Sequence, residues 1–275
     1  MLPTFFLICS AAAAAVWALL CRPDPGQLWQ GALIFLLCPL VLSLLFLLVI
    51  AAASLFFPKR TPIRRQSRLC RAFVVIAGEL VAFWTGARVH FNGEDLLPRD
   101  GRFVMVCNHR SAFDPLLKFK ALARYNVAFV SKPENIKLPV LGRIAVAAGF
   151  LPIDRENDRE ALKTILCAAD YLKRDLCSIC VYPEGKRSKN CELLPFHAGS
   201  FKIAQRAKTP LVVAAIRGTE KVRNNFLRRR TDVYLDVLAV IPPSEVCAAK
   251  TVELSEWAYT MIKRHLDAAE GRTEE

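Results

Sequence analysis

The first 57 residues carry only two charges, Arg22 and Asp24, and no other part of this 275-residue chain restricts its architecture as tightly. Two apolar stretches fill this head. The second, residues 28–57, runs ~30 residues without a charge, where a helix needs ~20 to cross a bilayer. A tilt absorbs the excess, and a kink at Pro39 is tolerated where neighbouring groups satisfy the freed backbone. The first, residues 2–20, is ~19 residues long and just sufficient. A cleaved secretory signal of that length would carry a positive n-region and would not run straight into another apolar segment. The head is therefore expected to be a transmembrane helical hairpin over residues 1–57. Its turn falls at 21–27, where Pro23, Asp24, Pro25 and Gly26 supply turn chemistry.

The net charge is +13, and nearly all of the excess lies beyond Pro58. Lys59, Arg60, Arg64, Arg65, Arg68 and Arg71 crowd directly behind the second span. Positive residues beside a span stay cytoplasmic, which predicts that the remaining two hundred or so residues face the cytosol. An uncharged head and a basic body suit work against anionic membrane lipids. Nucleic acid is excluded as a partner by the apolar head and by the lack of any nucleic-acid motif. A third apolar segment, residues 69–85, contains Arg71 and Glu79. It reads as an amphipathic helix lying at the interface or packed on the domain. With the basic flank it forms a segment 58–86.

The ten cysteines are scattered, and Cys9, Cys38, Cys107 and Cys180 sit inside apolar runs, as free cysteines do when they serve as small hydrophobes in a reducing compartment. The single Cys-x-x-Cys, Cys177 to Cys180, falls in a buried strand. Residues three apart on a strand face opposite sides, so the pair is unsuited to hold a metal, and none is expected.

Beyond Arg88 short apolar runs alternate with longer amphipathic ones. Strands are expected at 102–107, 127–130, 150–153, 178–182, 210–216 and 233–240. Leu162, Ile165, Leu166, Ala169 and Leu172 recur at helical spacing behind Asn157 and Glu160, which resemble a capping box. Leu254, Trp257, Ala258, Met261 and Ile262 mark a C-terminal helix. Strands alternating with helices predict an α/β fold, a mainly parallel sheet flanked by helices, over 87–270.

Three blocks carry chemistry. Asn108-His109-Arg110-Ser111-Ala112-Phe113-Asp114-Pro115 follows the first strand directly, and in open α/β sheets reactive groups gather beyond the carboxyl ends of strands. His109 fits a general base, with Asp114 to hold the ring and stabilise the imidazolium. The plainer alternative is that His109 caps a helix and Asp114 pairs with Arg110. No Gly-x-Ser-x-Gly elbow occurs, so the nucleophile is expected to be the substrate's own hydroxyl. The second block, Val181-Tyr182-Pro183-Glu184-Gly185-Lys186-Arg187-Ser188-Lys189, also follows a strand. Its glycine lets backbone approach a ligand, and its basic residues suit a phosphate; a solvated turn is the alternative. The third, Gly149-Phe150-Leu151-Pro152-Ile153-Asp154-Arg155, places another arginine at a strand end. The basic stretch 221–230, with Arg223, Arg228, Arg229 and Arg230, suits anionic headgroups or simple solvation. His197 reads as structural, and His90, on an edge strand, and His265, on the last helix, have no role.

In order and spacing, Asn-His-Arg-Ser-Ala-Phe-Asp, Phe-Leu-Pro-Ile-Asp-Arg, Tyr-Pro-Glu-Gly-Lys-Arg-Ser and Thr-Pro-Leu-Val-Val-Ala resemble the 1-acylglycerol-3-phosphate acyltransferase family over roughly 88–242. The resemblance implies transfer of a fatty acyl group to the sn-2 hydroxyl of lysophosphatidic acid, giving phosphatidic acid, with His109 and Asp114 as the dyad of the family's HX4D motif. It associates Arg155, Glu184, Gly185 and Arg187 with the acceptor's phosphate. Lys186 stands where the family commonly has threonine, and adds positive charge there; Val213-Ala214 replaces a further proline. No cofactor is implied, since the acyl donor, on acyl carrier protein or coenzyme A, is itself a substrate. Backbone N–H groups near the dyad are expected to serve the oxyanion. Glycerol-3-phosphate, a headgroup-bearing lysophospholipid or an aminolipid are alternative acceptors. A thioester hydrolase and a non-enzymatic membrane adaptor are the rivals from other classes.

Overall fold

The computed structural model describes residues 2–57, 61–188, 190–226 and 230–271, and the chain divides into two compact units that meet in sequence at 57/58. Lys59, Arg60, Lys189, Arg228 and Arg229, named above, lie outside the described residues.

The first unit is two packed helices, α1 (Leu2–Cys21) and α2 (Leu28–Ser54). They are joined through a turn that ends in a 3-10 segment at Pro25–Gln27. Both are long and apolar enough to cross a membrane. Gly31 permits the close approach, since a Cβ there would come within 3.0 Å of the Trp17 ring. Ser10 and Ser43 hydroxyls donate to the carbonyls one turn back, Phe6 O at 2.6 Å and Pro39 O at 2.7 Å. Such internal pairing is what an apolar surrounding demands of a polar group. Leu19, Leu20, Leu36 and Leu48 stay exposed, a surface suited to lipid.

Among its described residues the second unit has seven strands: β1 (Ala87–Asn92), β2 (Val104–Cys107), β3 (Val127–Ser131), β4 (Leu151–Pro152), β5 (Ser178–Val181), β6 (Leu211–Arg217) and β7 (Thr231–Ile241). Their order is β1-β7-β6-β2-β5-β3-β4, and only β6 and β7 pair antiparallel. Five strands thus run one way, while β1 and β7 run the other. β1, in which sequence patterning gave only the edge position of His90, is that edge strand; β4, with two paired residues, is the opposite edge.

The helices are α3 (Arg68–Thr85), α4 (Asp114–Ala121), α5 (Pro133–Lys137), α6 (Leu141–Ala147), α7 (Asp158–Lys173), α8 (Lys202–Ala207), α9 (Val222–Asn225), α10 (Pro243–Ala248) and α11 (Thr251–Ala269). Strand side chains alternate between two cores, as the two-residue period requires. Val104, Val106, Ile179 and Val181 face α7, α8 and α11. Met105, Cys107, Cys180 and Tyr182 face the layer that contains α4. Cys177 and Cys180 accordingly belong to different cores. Asn157 caps α7, its side chain accepting from Arg159 N and Glu160 N.

Three details go beyond the sequence reading. Segment 58–86, whose apolar helix was left open between the interface and the domain, is in its described part built into the domain. Gln66 Nε2 donates to Ala148 O at 2.8 Å, Ile63 N donates to Tyr171 Oη at 2.7 Å, and α3 packs on α4. A Cβ on Gly78 would fall 2.3 Å from Leu116 O, so only glycine permits that contact. On α7, Leu162 and Leu166 remain 45% and 47% exposed, because Ile165, Ala168, Ala169 and Leu172 form the inward stripe. On α11, Trp257 is 41% exposed while Leu254, Ala258, Ile262 and Leu266 are buried.

Candidate active site

The carboxyl ends of β2, β5 and β4 lead into the loops that carry the sequence blocks. The exit of β2 is fixed by Asn108, which is buried: its Oδ1 accepts from Ile216 N at 2.7 Å and its Nδ2 donates to Ile216 O at 2.9 Å. The amide side chain thereby continues the β2–β6 ladder for one further step, and the chain turns only after it. His109 is next.

Asp114 is the first residue of α4 and is fully buried. Its Oδ2 accepts three hydrogen bonds: from the His109 ring at Nδ1 (2.7 Å), from Arg110 N (2.8 Å) and from Ser111 N (3.0 Å). Three donors thus converge on one carboxylate oxygen at the N-terminal end of a helix. An imidazole that donates from Nδ1 to this carboxylate keeps Nε2 free as an acceptor. Arg110 does not pair with Asp114 through its side chain; its guanidinium goes to Glu270 at 2.5 Å, with Glu220 3.7 Å away.

Glu184 is placed differently from the phosphate-binding role that the resemblance implies. It is buried, and its two carboxylate oxygens accept from His109 N at 2.6 Å and Leu194 N at 3.0 Å. Ser188 N donates to His109 O at 3.1 Å. The loop after β5 therefore grips the backbone of His109 on both sides, and Glu184 acts as a positioning residue. Burial pushes its carboxyl up from 4.5 to about 7, against the two N–H bonds that favour the charge. An acid raised on folding contributes stability that is fully present below its unfolded value and is lost as pH rises through its folded value. Between about pH 4.5 and 7 the melting temperature should fall with a component that Glu184→Gln abolishes. The variant melts lower throughout, since a single amide oxygen serves only one of the two N–H donors. Thermal melts across that range check it; an unchanged slope in the variant contradicts the assignment.

His109 shares a cavity of about 300 Å³ with Lys132, Arg155, Lys186 and Arg187. Among the described residues no acidic side chain lines it, and Phe129, Phe150 and Pro115 give it an apolar wall. Gly185, at φ +79°, marks the closest approach: a Cβ there would lie 3.0 Å from Arg155 Nη1 and 3.2 Å from the His197 ring. Of three further residues brought here, two carried no such sign in the sequence. Lys132 follows β3, outside every block. His197 touches the second block across a turn. Tyr182 stacks on His109, with ring centroids 4.1 Å apart and planes at 17°; its signal was its place within the block.

The site sets a histidine–carboxylate pair at the strand ends of a mixed α/β domain, with the histidine opening on a cationic cavity. Residues 88–217, a little under half of the chain, match the Acyltransferase family model. It is 31% identical over 156 residues to a coconut (Cocos nucifera) protein named 1-acyl-sn-glycerol-3-phosphate acyltransferase, covering 56% of this chain and 50% of that one. A protein of the same name from Salmonella typhimurium is 29% identical over 146 residues, 53% of this chain and 58% of its own. The chain thus spans about half the length of these curated relatives. In fold it is similar to the crystal structure of the 1-acyl-sn-glycerophosphate (LPA) acyltransferase of Thermotoga maritima, with a TM-score of 0.62 at 23% identity, over 86% of this chain and 98% of that one.

Proposed function

We propose that the chain is a membrane-anchored O-acyltransferase that moves a fatty acyl group from a thioester to the sn-2 hydroxyl of 1-acylglycerol-3-phosphate. The observation that carries this reading is that His109, bonded to the buried Asp114, shares one cavity with four cations. A dianionic phosphate suits such a wall, with arginine able to bind it bidentately. The names of the curated relatives and the family model support the same chemistry.

In this mechanism His109 Nε2 removes the proton from the acceptor hydroxyl as the oxygen attacks the thioester carbonyl. Asp114 holds the tautomer and stabilises the imidazolium. His109 then returns the proton to the departing thiol. The N–H groups of His109, Arg110 and Ser111 are already committed to Glu184 and Asp114. The oxyanion is therefore better served from elsewhere on the cavity wall, where Ser131, Lys132 and Asn135 carry donors.

The test is an assay of labelled lysophosphatidic acid with acyl-CoA and with acyl-ACP, beside a panel of glycerol-3-phosphate, headgroup-bearing lysophospholipids and an aminolipid. Phosphatidic acid formed fastest from lysophosphatidic acid supports the reading. Thiol release that ignores every acceptor would instead make the chain a hydrolase. Arg155→Ala and Arg187→Ala should each raise KM for the phosphorylated acceptor about 10-fold or more, the loss of one charge-assisted bond, with kcat little changed. An unaltered KM in both argues against the phosphate site.

The domain is assigned to the cytoplasmic face, because Arg64, Arg65, Arg68 and Arg71 follow the second span. Cys247 is exposed on α10. An impermeant maleimide should reach Cys247 only from the cytosolic side of sealed vesicles; labelling of Cys247 from the opposite side reverses the topology.

A further inference from the structure

A lysine lies sealed beneath the dyad. Lys118 sits four residues after Asp114 on α4, so the two side chains share one helix face, and it is 1% exposed. Its Nζ lies 4.3 Å from the centroid of the Tyr182 ring and 3.9 Å from Cys180 Sγ. Tyr182 in turn stacks on His109. Among the described residues Lys118 makes no ion pair. A lone ammonium in a core is costly, and methionine would fill the same volume without that cost.

We infer that Lys118 is a positioning residue, the resident counter-charge of the dyad, which keeps Asp114 ionised and His109 neutral through the stacked Tyr182 ring. This inference rests on the reading of His109 as the general base.

Opposing charges meet at His109. The Asp114 carboxylate favours the imidazolium. The cations facing the imidazole from the cavity, Lys132, Arg155, Lys186 and Arg187, oppose it. A phosphate bound among them cancels that opposition as the reaction begins. A base protonated at that moment cannot accept the hydroxyl proton. Lys118 is out of reach of any substrate, so its effect persists in the complex. Its charge also draws on the face of the Tyr182 ring, which weakens what that ring can offer an imidazolium stacked upon it. The remaining groups around Nζ are the Cys107 and Cys180 thiols, both raised by burial, Cys107 to about 12, and so uncharged at neutral pH. Glu184 meets His109 only through the backbone.

The test titrates the His109 imidazole by NMR in the full chain, with and without a bound non-reactive lysophosphatidic acid analogue. Lys118→Met should raise the His109 midpoint by about one unit, most clearly with the analogue bound. It should move the acid limb of the kcat profile upward by the same amount, with KM for the acceptor unchanged. Lys118→Arg, which keeps the charge, should return the midpoint toward that of the unaltered chain. A folded Lys118→Met protein with an unmoved midpoint overturns the inference and leaves Lys118 as core filling. Should neither variant fold, the Nζ resonance of the unaltered chain decides: an ammonium at pH 7 supports the assignment, and a neutral amine overturns it. The titration needs no turnover, so a chain inactive on every acceptor would refute the proposed function without deciding the role of Lys118.

Discussion

With His109 replaced by alanine, acyl transfer from a thioester to lysophosphatidic acid should fall by about 10² to 10⁴-fold, the usual worth of a positioned general base. The loss should lie in kcat, because in the proposed mechanism the ring meets the reacting hydroxyl while the phosphate is left to the cations, separate residues on the same wall. The fold should survive. The backbone bonds that hold residue 109, from its N–H to Glu184 and from Ser188 to its carbonyl, do not involve the ring. What is lost structurally is the stack on Tyr182 and one of three hydrogen bonds to Asp114. Single-turnover kinetics with labelled acceptor, beside a thermal melt, separate the two effects. A folded variant with near-normal turnover removes His109 from the chemistry.

Asp114→Ala should be as slow, and less stable as well. Its Oδ2 is the acceptor for the ring and for two backbone N–H groups, Arg110 and Ser111. Deleting it strands both N–H groups in a buried loop, at about 1–3 kcal/mol for each unsatisfied donor. Asp114→Asn is more informative. Those same two N–H groups require an oxygen at the Oδ2 position, so the asparagine carbonyl must take it, and the ring keeps its acceptor. The tautomer survives, and only the negative charge is lost. The fall should therefore be smaller than the ~10⁴-fold that accompanies a wrong tautomer. Because the two residues act as a unit, the double variant His109→Ala/Asp114→Ala should be little slower than either alone. Multiplied losses would show that the pair does not act together.

The pair of long apolar helices and the contact of His109 with Asp114 were legible because each obeys a local rule. An uncharged run of bilayer length has few fates, and a histidine five residues before an aspartate at a strand end falls naturally on one turn. The strands were found to within a residue or two where apolar residues ran continuously. β4 was overdrawn, because only Leu151 and Pro152 find a partner. The packing of α3 was left open between membrane interface and domain, and what settles it is Gly78 against the backbone of Leu116, a contact 38 positions away in sequence that no periodicity reports. Glu184 was misplaced for a related reason. A carboxylate beside a glycine and two cations reads as part of a ligand loop, but its real partners are the N–H groups of residues 75 and 10 positions away. Lys118 and His197 were invisible as neighbours of the site. A lysine in the middle of an amphipathic helix is ordinarily solvated, and only the tertiary fold shows it buried behind Tyr182.

The account stands or falls on one bound lipid serving both halves of the cavity. The direct measurement is a structure of the chain with lysophosphatidic acid in place. The account predicts the sn-2 oxygen within hydrogen-bond reach of His109 Nε2, about 2.6–3.2 Å, and the phosphate on Arg155 and Arg187. A phosphate seated away from both arginines, or a hydroxyl that cannot reach the imidazole, contradicts it.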